Sequence, residues 1–374
     1  MTNDLYFGVM SGTSADAIDI VLARVNDREL SIVDSGSTAL SETIRHDIKT
    51  LCSQSDNEIE KSVSLGVTLS LITGNLITQL LEKNNLSPSL IRAIGYHGQT
   101  IRHRPNARQP FSVQIGCPST LAFKTKITTI SDFRMADIAA GGQGAPLVPA
   151  FHQYAFQTKT ENRFIVNIGG IANLTLLPSD EQTPIIGFDT GPGNTLLDEW
   201  INLHKGMPFD HNGEWASSGK IIPELLTSIM KDDYICQPLP KSTGREHFNL
   251  DWLMQHTAAF QALKPEDIQR TLIEFTALSI ATGIAQVQQT HRISQAHIFL
   301  CGGGINNTTL VNALQNHLPE TSISSTQALG IHPQLVECAA FAWLARQTLE
   351  SKPGNLPSVT GATQERILGG IYFG

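Results

Sequence analysis

The chain is short of several things that would assign it a class at once. It has five cysteines in 374 residues, at positions 52, 117, 236, 301 and 338, and no two form a CxxC pair. That spacing argues against a zinc knuckle or a disulfide-dense secreted scaffold and fits reduced thiols in a cytoplasmic protein. Charge is sparse at 16%, and 26 basic residues face 34 acidic ones, a net charge of -8. No basic stripe is available for a nucleic-acid backbone, so no nucleic-acid partner is expected. The opening MTNDLY has neither a basic segment nor an apolar one, so no signal peptide is expected, and no run approaches the roughly 18 apolar residues of a membrane span. Both standard phosphate motifs are missing as well. GEWASSGKI, at 213–221, has one residue too many between its glycines and an isoleucine after Lys220, and no GxGxxG opens a βαβ unit. P-loop and Rossmann sites are thereby disfavoured.

What is present is a pattern that occurs twice. A length of 374 residues with 41% hydrophobic residues exceeds what a single core usually holds, so two domains are expected. In the first half, LYFGVM, IDIVLARV and ELSIVDSGST read as strands, and residues 59–84 as a helix with Leu65, Leu69, Ile72, Leu76 and Leu80 on one face. RAIGYHGQTI and ITTISDFR follow as strands. In the second half, RFIVNIGGIANLTLLP repeats strand, glycine turn and strand, and PIIGFDTGPGN supplies a third strand. Residues 265–290 form a long helical pattern, HIFLCGGGINN a buried strand ending in glycine, and residues 336–349 an alanine-rich helix. This predicts a duplicated α/β domain with a mixed sheet in each half. The lobes are expected at 1–148 and 149–374, divided at GGQGAPLVPAF, with the last helix able to pack back on the first lobe.

Three glycine-rich turns each follow a strand: SGTSADA, NIGGIAN and CGGGINN. Consecutive backbone N–H groups in such turns make anion-binding nests, although tight packing alone also uses glycine. Asp16 and Asp19 flank the first turn, and Asp189 ends the strand IIGFD. A carboxylate there can act as a base or hold magnesium through water, or it can cap the turn or the following helix. His97, Gln99, Arg102, His103 and Arg104 in GYHGQTIRHRP, with Asp132 and Arg134 in SDFRMAD, are candidates to line a pocket for a hydroxylated or carboxylated ligand. PKSTGREHF, at 240–248, carries no mechanism readable from residue types.

The segments GVMSGTSADAID, GYHGQTIRHRP, SDFRMADIAAGGQGAPLVP, VNIGGIANLT, GFDTGPGN, PKSTGREHF and CGGGINN occur in this order. Together they closely resemble the successive signatures of the 1,6-anhydro-N-acetylmuramic acid kinases, over essentially the whole chain. The resemblance implies the α/β superfold of actin, the heat-shock ATPases and hexokinase: two lobes of duplicated, ribonuclease H-like topology around a central nucleotide cleft. It implies that Gly12, Thr13, Ser14, Ala15, Asp16, Ala17, Ile18 and Asp19 on one side, and Asn167, Gly169, Gly170 and Asn173 on the other, face the phosphates of ATP. Gly302, Gly303, Gly304 and Asn306 would approach the adenosine. Asp189 matches the general base, and His97, Thr100, Arg134 and Glu337 match positions near the sugar. Magnesium would be held by Asp16 and Asp19 through water. The implied reaction opens the anhydro ring with water and phosphorylates O6, in cell-wall recycling, in a cytoplasmic homodimer. Two positions depart from the family: residue 17 is Ala where Gly is usual, and Cys338 replaces a small apolar residue. An ordinary hydroxyl kinase and a nucleotide-switched binding protein are the alternative readings of the same fold.

Overall fold

The computed structural model describes residues 4–12, 15–239, 241–258, 260 and 263–374. The chain divides into two compact units, Met1–Ala155 with Leu335–Gly374, and Phe156–Gln334. The first break falls seven residues after the 148/149 boundary read from the sequence, inside the helix Val148–Phe156. The C-terminal forty residues, which the sequence boundaries had given to the second lobe, belong to the first unit.

In the first unit the apolar runs form β1 (Leu5–Met10), β2 (Ala17–Val25), β3 (Leu30–Ala39) and β4 (Ile91–Tyr96). The stretch read as one strand, RAIGYHGQTI, is two. β4 ends at Tyr96, and β5 (Gln99–Arg104) pairs with β6 (Phe111–Ile115) in a separate two-stranded sheet. The divider is Gly98, whose φ of +75° breaks the extended run and is easily adopted only by glycine. A short β7 (Thr129–Ser131) completes this part of the chain. The second unit holds β8 (Arg163–Ile168), β9 (Ile171–Leu177), β10 (Ile186–Pro192), β11 (His297–Cys301) and β12 (Ile323–Ser325). The chain then returns to the first unit with the helix Val336–Leu349 and β13 (Gly370–Tyr372), which pairs antiparallel with β7.

The two main sheets have one topology. In the first the order is β13-β7-β4-β1-β2-β3, and in the second β10-β9-β8-β11-β12. Each unit has an antiparallel three-strand meander, β1-β2-β3 or β8-β9-β10, whose first strand pairs parallel with the next, β4 or β11. A further parallel strand, β7 or β12, follows on that side. This is the duplicated mixed sheet read from the sequence.

The returning helix joins the first unit because two glycines make room for it. Gly8 of β1 and Gly95 of β4 are register partners. A Cβ on Gly8 would lie 1.9 Å from the Cys338 carbonyl oxygen, and one on Gly95 1.9 Å from that of Phe341. The helix backbone therefore rests directly on the sheet. Its residues Ala339, Ala340, Ala342 and Ala345 are buried, small enough to allow the approach.

Among the described residues one helix, Glu58–Lys83, is long and apolar enough to cross a membrane by length and composition, with a mean hydropathy of 1.4 in its richest window. The sequence reading missed this because Ser, Thr and Gly interrupt the apolar run while leaving its mean hydropathy high. The helix buries Leu65, Leu69, Ile77, Leu80 and Leu81, and these residues form part of the first unit's core.

Candidate functional site

In the second unit the polar candidates fall in one row. Asn167 on β8 is the register partner of Asn173 on β9, and Asn173 is the partner of Asp189 on β10. Directly opposed residues project to the same face of a sheet, so the three side chains share a face beside the turn that carries Gly169 and Gly170. The carbonyl of Gly170 accepts from the N–H groups of Gly193 (2.9 Å) and Thr195 (3.1 Å), and that of Gly169 from Asn194 (2.8 Å). These bonds tie the turn to the start of the helix Thr195–Lys205. Asp189 does not cap that helix: it lies within β10, and the N-cap position is Asn194. Close packing also sets the third turn. Gly302 has φ +82°, and a Cβ there would meet Asn167 Oδ1 at 2.3 Å, while one on Gly304 would meet Ile168 Cγ2 at 2.3 Å. Gly303 and Asn306 continue a short 3-10 turn.

Asp189 is held by the loop that had no readable mechanism. Thr243 N–H donates to its Oδ2 at 3.0 Å, the Asp189 N–H donates to the Lys241 carbonyl at 3.1 Å, and the Tyr234 hydroxyl donates to its carbonyl at 2.6 Å. Burial and the Asp189 charge push the Tyr234 phenol well above its usual range, so it stays a donor. Lys241 spends its ammonium on the carbonyls of Tyr234 and Ile235. PKSTGREHF is thus the brace of the carboxylate, with Pro240 outside the described residues.

In the first unit the turn after β1 has a different construction. Thr13 and Ser14 lie outside the described residues. Ala15 N–H donates to the Gly12 carbonyl at 3.0 Å, closing the turn. Gln99, almost wholly buried, accepts from the Ser11 hydroxyl at 2.6 Å and donates to the Gly12 carbonyl at 3.3 Å. Ala17 and Ile18 already belong to β2, and Ile18 is buried in the core, leaving only its backbone to face a ligand. Asp16 is exposed and 3.8 Å from Arg45. Asp19 is half-buried, and burial raises its carboxyl pKa against a hydrogen bond from Ser37. The Cys338 thiol, pushed well up by burial, donates to the Asp19 carbonyl at 3.3 Å.

The candidates at the start of β5 and after β7 form a relay. The Nδ1–H of His97 donates to the Gly98 carbonyl at 2.8 Å, and its Nε2 accepts from Arg134 Nε at 3.2 Å and a terminal nitrogen at 3.0 Å. Both ring nitrogens are therefore engaged within the protein. Burial first, then the Arg134 charge, holds His97 well below its usual pKa, so it is a neutral imidazole. It orients Arg134, another of the residues read from the sequence as lining a pocket. The other end of Arg134 donates to the Gly144 carbonyl at 2.7 Å, and Gly144 N–H donates to buried Asp137 at 2.8 Å. Asp137 also accepts from Asn355 (2.6 Å) and Thr360 (2.7 Å), so the returning C-terminal segment fixes the loop that fixes Arg134. Thr100 accepts from Gln114 at 3.2 Å. Glu337 lies in the first turn of the helix Val336–Leu349. Sequence reasoning singled out neither Asp137 nor Asn355, because a buried carboxylate serving backbone and amide donors leaves no motif.

These features define a class: a duplicated α/β fold with a mixed sheet in each unit and glycine turns at strand ends. The family model "Anhydro-N-acetylmuramic acid kinase" matches residues 4–374. A relative of that name from Coxiella burnetii is 46% identical over 374 residues, covering 100% of this chain and 99% of the relative. Another from Saccharophagus degradans is 46% identical with 100% of both chains covered, and one from Pasteurella multocida 45% identical over 98% of this chain and 96% of its own. Among solved structures, a ROK family glucokinase from Streptomyces griseus covers 92% of this chain and 99% of its own, at a TM-score of 0.41 and 11% identity, too slight a likeness to bear on the site. The chain belongs to the anhydro-N-acetylmuramic acid kinase family, and it is an ATP-using kinase.

Proposed function

We propose that this kinase takes 1,6-anhydro-N-acetylmuramic acid, water and ATP to N-acetylmuramic acid 6-phosphate and ADP, as a step of cell-wall recycling. The observation that carries the reading is Asp189, braced by Thr243 N–H and standing in one row with Asn167 and Asn173 beside the second glycine turn. Asp189 takes a proton from water as the water oxygen bonds to C1. The C1–O6 bond breaks, and O6 takes the γ-phosphoryl group, releasing ADP. His97 keeps Arg134 in place for the sugar, with Thr100 and Glu337 alongside it in the same role.

In this reading the turns at Gly12–Asp19 and Asn167–Asn173 hold the phosphates of ATP, and Gly302, Gly303, Gly304 and Asn306 the adenosine. Magnesium, when bound, neutralises phosphate charge, and the carboxylates fit it. Asp19 is partly desolvated without a cationic partner in hydrogen-bond range among the described residues, and Asp16 is exposed; one or two carboxylates plus water and phosphate are the usual magnesium set. The homodimer rests on the resemblance alone, and the cytoplasmic setting on the resemblance together with five cysteines that form no CxxC pair.

The test is mass spectrometry of the product made from ATP and the anhydro sugar in ¹⁸O-labelled water. One label at C1 and one phosphate at O6 are expected. A phosphorylated sugar with no label at C1 would leave an ordinary hydroxyl kinase.

A further inference from the structure

Two polar atoms aimed at the second glycine turn have no hydrogen-bond partner among the described residues. Thr195 is 1% exposed, and its Oγ1 has no hydrogen-bond partner. The Nε of Arg245 is likewise buried without a partner. Both converge on one spot. A Cβ built on Gly170 would lie 2.9 Å from Thr195 Oγ1, 3.6 Å from a terminal nitrogen of Arg245 and 3.8 Å from its Nε. Glycine leaves that spot open, so the turn, the hydroxyl and the guanidinium enclose a small cradle.

A buried donor left unsatisfied costs about 1–3 kcal/mol, and more for a charged group. Two at one place are expected where a ligand supplies the acceptors. The ligand chemistry follows from the donors. A guanidinium and a hydroxyl, set at the N-terminus of an eleven-residue helix, suit an oxyanion with several oxygens. Arg245 is also held in advance. Its loop is pinned on one side where Thr243 meets Asp189, and on the other where His247 meets Asp232 at 2.9 Å. Asp232 is itself fixed by Trp252 Nε1 at 2.9 Å. The segment that braces the carboxylate thus also delivers the cation.

We propose that Arg245 and Thr195 form a phosphate subsite over Gly170, in which the guanidinium and the hydroxyl bind oxygens of the terminal phosphate of ATP. Arg245 is then a catalytic residue that stabilises charge on the transferring group. The inference rests on the reading that the second glycine turn holds the nucleotide phosphates.

Calorimetric titration of ATP and of AMP into Arg245→Ala, Arg245→Lys and Thr195→Val, without sugar, reads the subsite apart from turnover. Arg245→Ala is expected to bind ATP about tenfold or more weakly, the worth of a charge-assisted hydrogen bond, with AMP affinity unchanged. Thr195→Val is expected to lose about three- to tenfold for ATP alone, and Arg245→Lys to fall between Arg245→Ala and wild type. In turnover, Arg245→Ala is expected to lose roughly 10³-fold in kcat, the low end for an arginine acting on a transferring phosphoryl group, with partial recovery in added guanidinium. A purely structural arginine would show no such recovery. Variants that keep wild-type ATP affinity and kcat, in a wild-type enzyme that phosphorylates the sugar, overturn the subsite alone. A wild-type enzyme that binds AMP as tightly as ATP, or does not turn over, overturns the reading beneath it. If Arg245→Ala does not fold, Arg245→Lys and Thr195→Val decide by the same ATP-to-AMP ratio.

Discussion

The two units share one sheet topology yet equip the turn after the first strand in opposite ways. In the first unit that turn carries a carboxylate, Asp16, with a second, Asp19, three residues on in β2, and is propped by a buried amide, Gln99, through Ser11 and Gly12. In the second it carries Gly169 and Gly170, is tied to a helix start by backbone bonds, and faces Asn167, Asn173, Thr195 and Arg245. One turn offers acceptors and the other donors. A duplicated fold can equip equivalent strand ends differently by changing a few residues there while leaving the strands alone.

The sharpest way to break the comparison is at Asp189, since the equivalent strand of the first unit, β3, supplies no proposed catalytic group. Asp189→Asn removes a base and keeps the shape. Turnover is expected to fall by roughly 10²–10⁴-fold, the usual worth of general-base catalysis, with ATP binding retained. Steady-state kinetics beside nucleotide titration checks both halves. A rate within about tenfold of wild type, only ~1.4 kcal/mol of barrier, would remove Asp189 from the role.

The next difference is in packing. The first unit brings a helix backbone onto its sheet at Gly8 and Gly95. Gly8→Ala would place a methyl 1.9 Å from the Cys338 carbonyl oxygen and 2.6 Å from Ala342 N. Backbone atoms cannot give way as a flexible side chain can, so destabilisation of about 1–3 kcal/mol or more is expected from overpacking. With Glu337 on the same helix, in the sugar-contacting role proposed for it, the KM for sugar should rise with the loss of stability. Urea unfolding and substrate titration of Gly8→Ala measure the two together; an unchanged midpoint would show that the helix is free to lift.

Acid should also separate the units. In the first, His103 is pushed down to about 4 by burial, Arg134 and Arg104, and His152 to about 3 by burial, while His97 is held well below its usual value. Between those values and the ordinary histidine pKa near 6.5 the unfolded chain binds more protons than the folded one. The stabilisation is therefore fully present above about pH 6.5 and declines as pH falls toward 4 and then 3. Hydrogen exchange followed from pH 7 to pH 4.5, corrected for intrinsic rates, should show protection lost first in β4, β5 and the helix Val148–Phe156. Earlier loss in β8–β11 would contradict this.

How much of this was legible in the sequence depends on whether the signal is local. Strand and helix periodicity placed β1, β2, β8, β9 and the helix Val336–Leu349 to within a few residues, because burial on one face or both leaves a pattern in the residues themselves. The duplication was legible for the same reason. That the last helix could pack back on the first lobe was legible too, but what seats it there was not, since that is two single glycines on strands more than 240 residues earlier in the chain. Nor was the work of PKSTGREHF: Thr243 acts through its N–H, and Arg245 is defined by what it lacks. His97 was visible as a candidate, but which way its nitrogens point depends on Arg134 and Gly98.

The smallest effect concerns Ala17, at the position where the resemblance implies glycine. Alanine at residue 17 raised the question of whether a glycine conformation had been lost there. The residue with positive φ is instead Ala15, at +55°, while Ala17 is the first residue of β2 and pairs with Ala39. A left-handed alanine costs about 1–2 kcal/mol, and Ala15 is also buried in the core, so the strain coexists with packing. The two alanines should therefore respond to glycine differently. Ala17→Gly loosens a strand residue already in ordinary geometry and is expected to destabilise by about 0.5–1 kcal/mol. Ala15→Gly relieves the strain but gives up one buried methyl worth ~0.8 kcal/mol, so it should come out near neutral. Paired denaturation midpoints for the two variants test this. If Ala17→Gly proved the stabilising one, the strain would have to sit at position 17 rather than at Ala15.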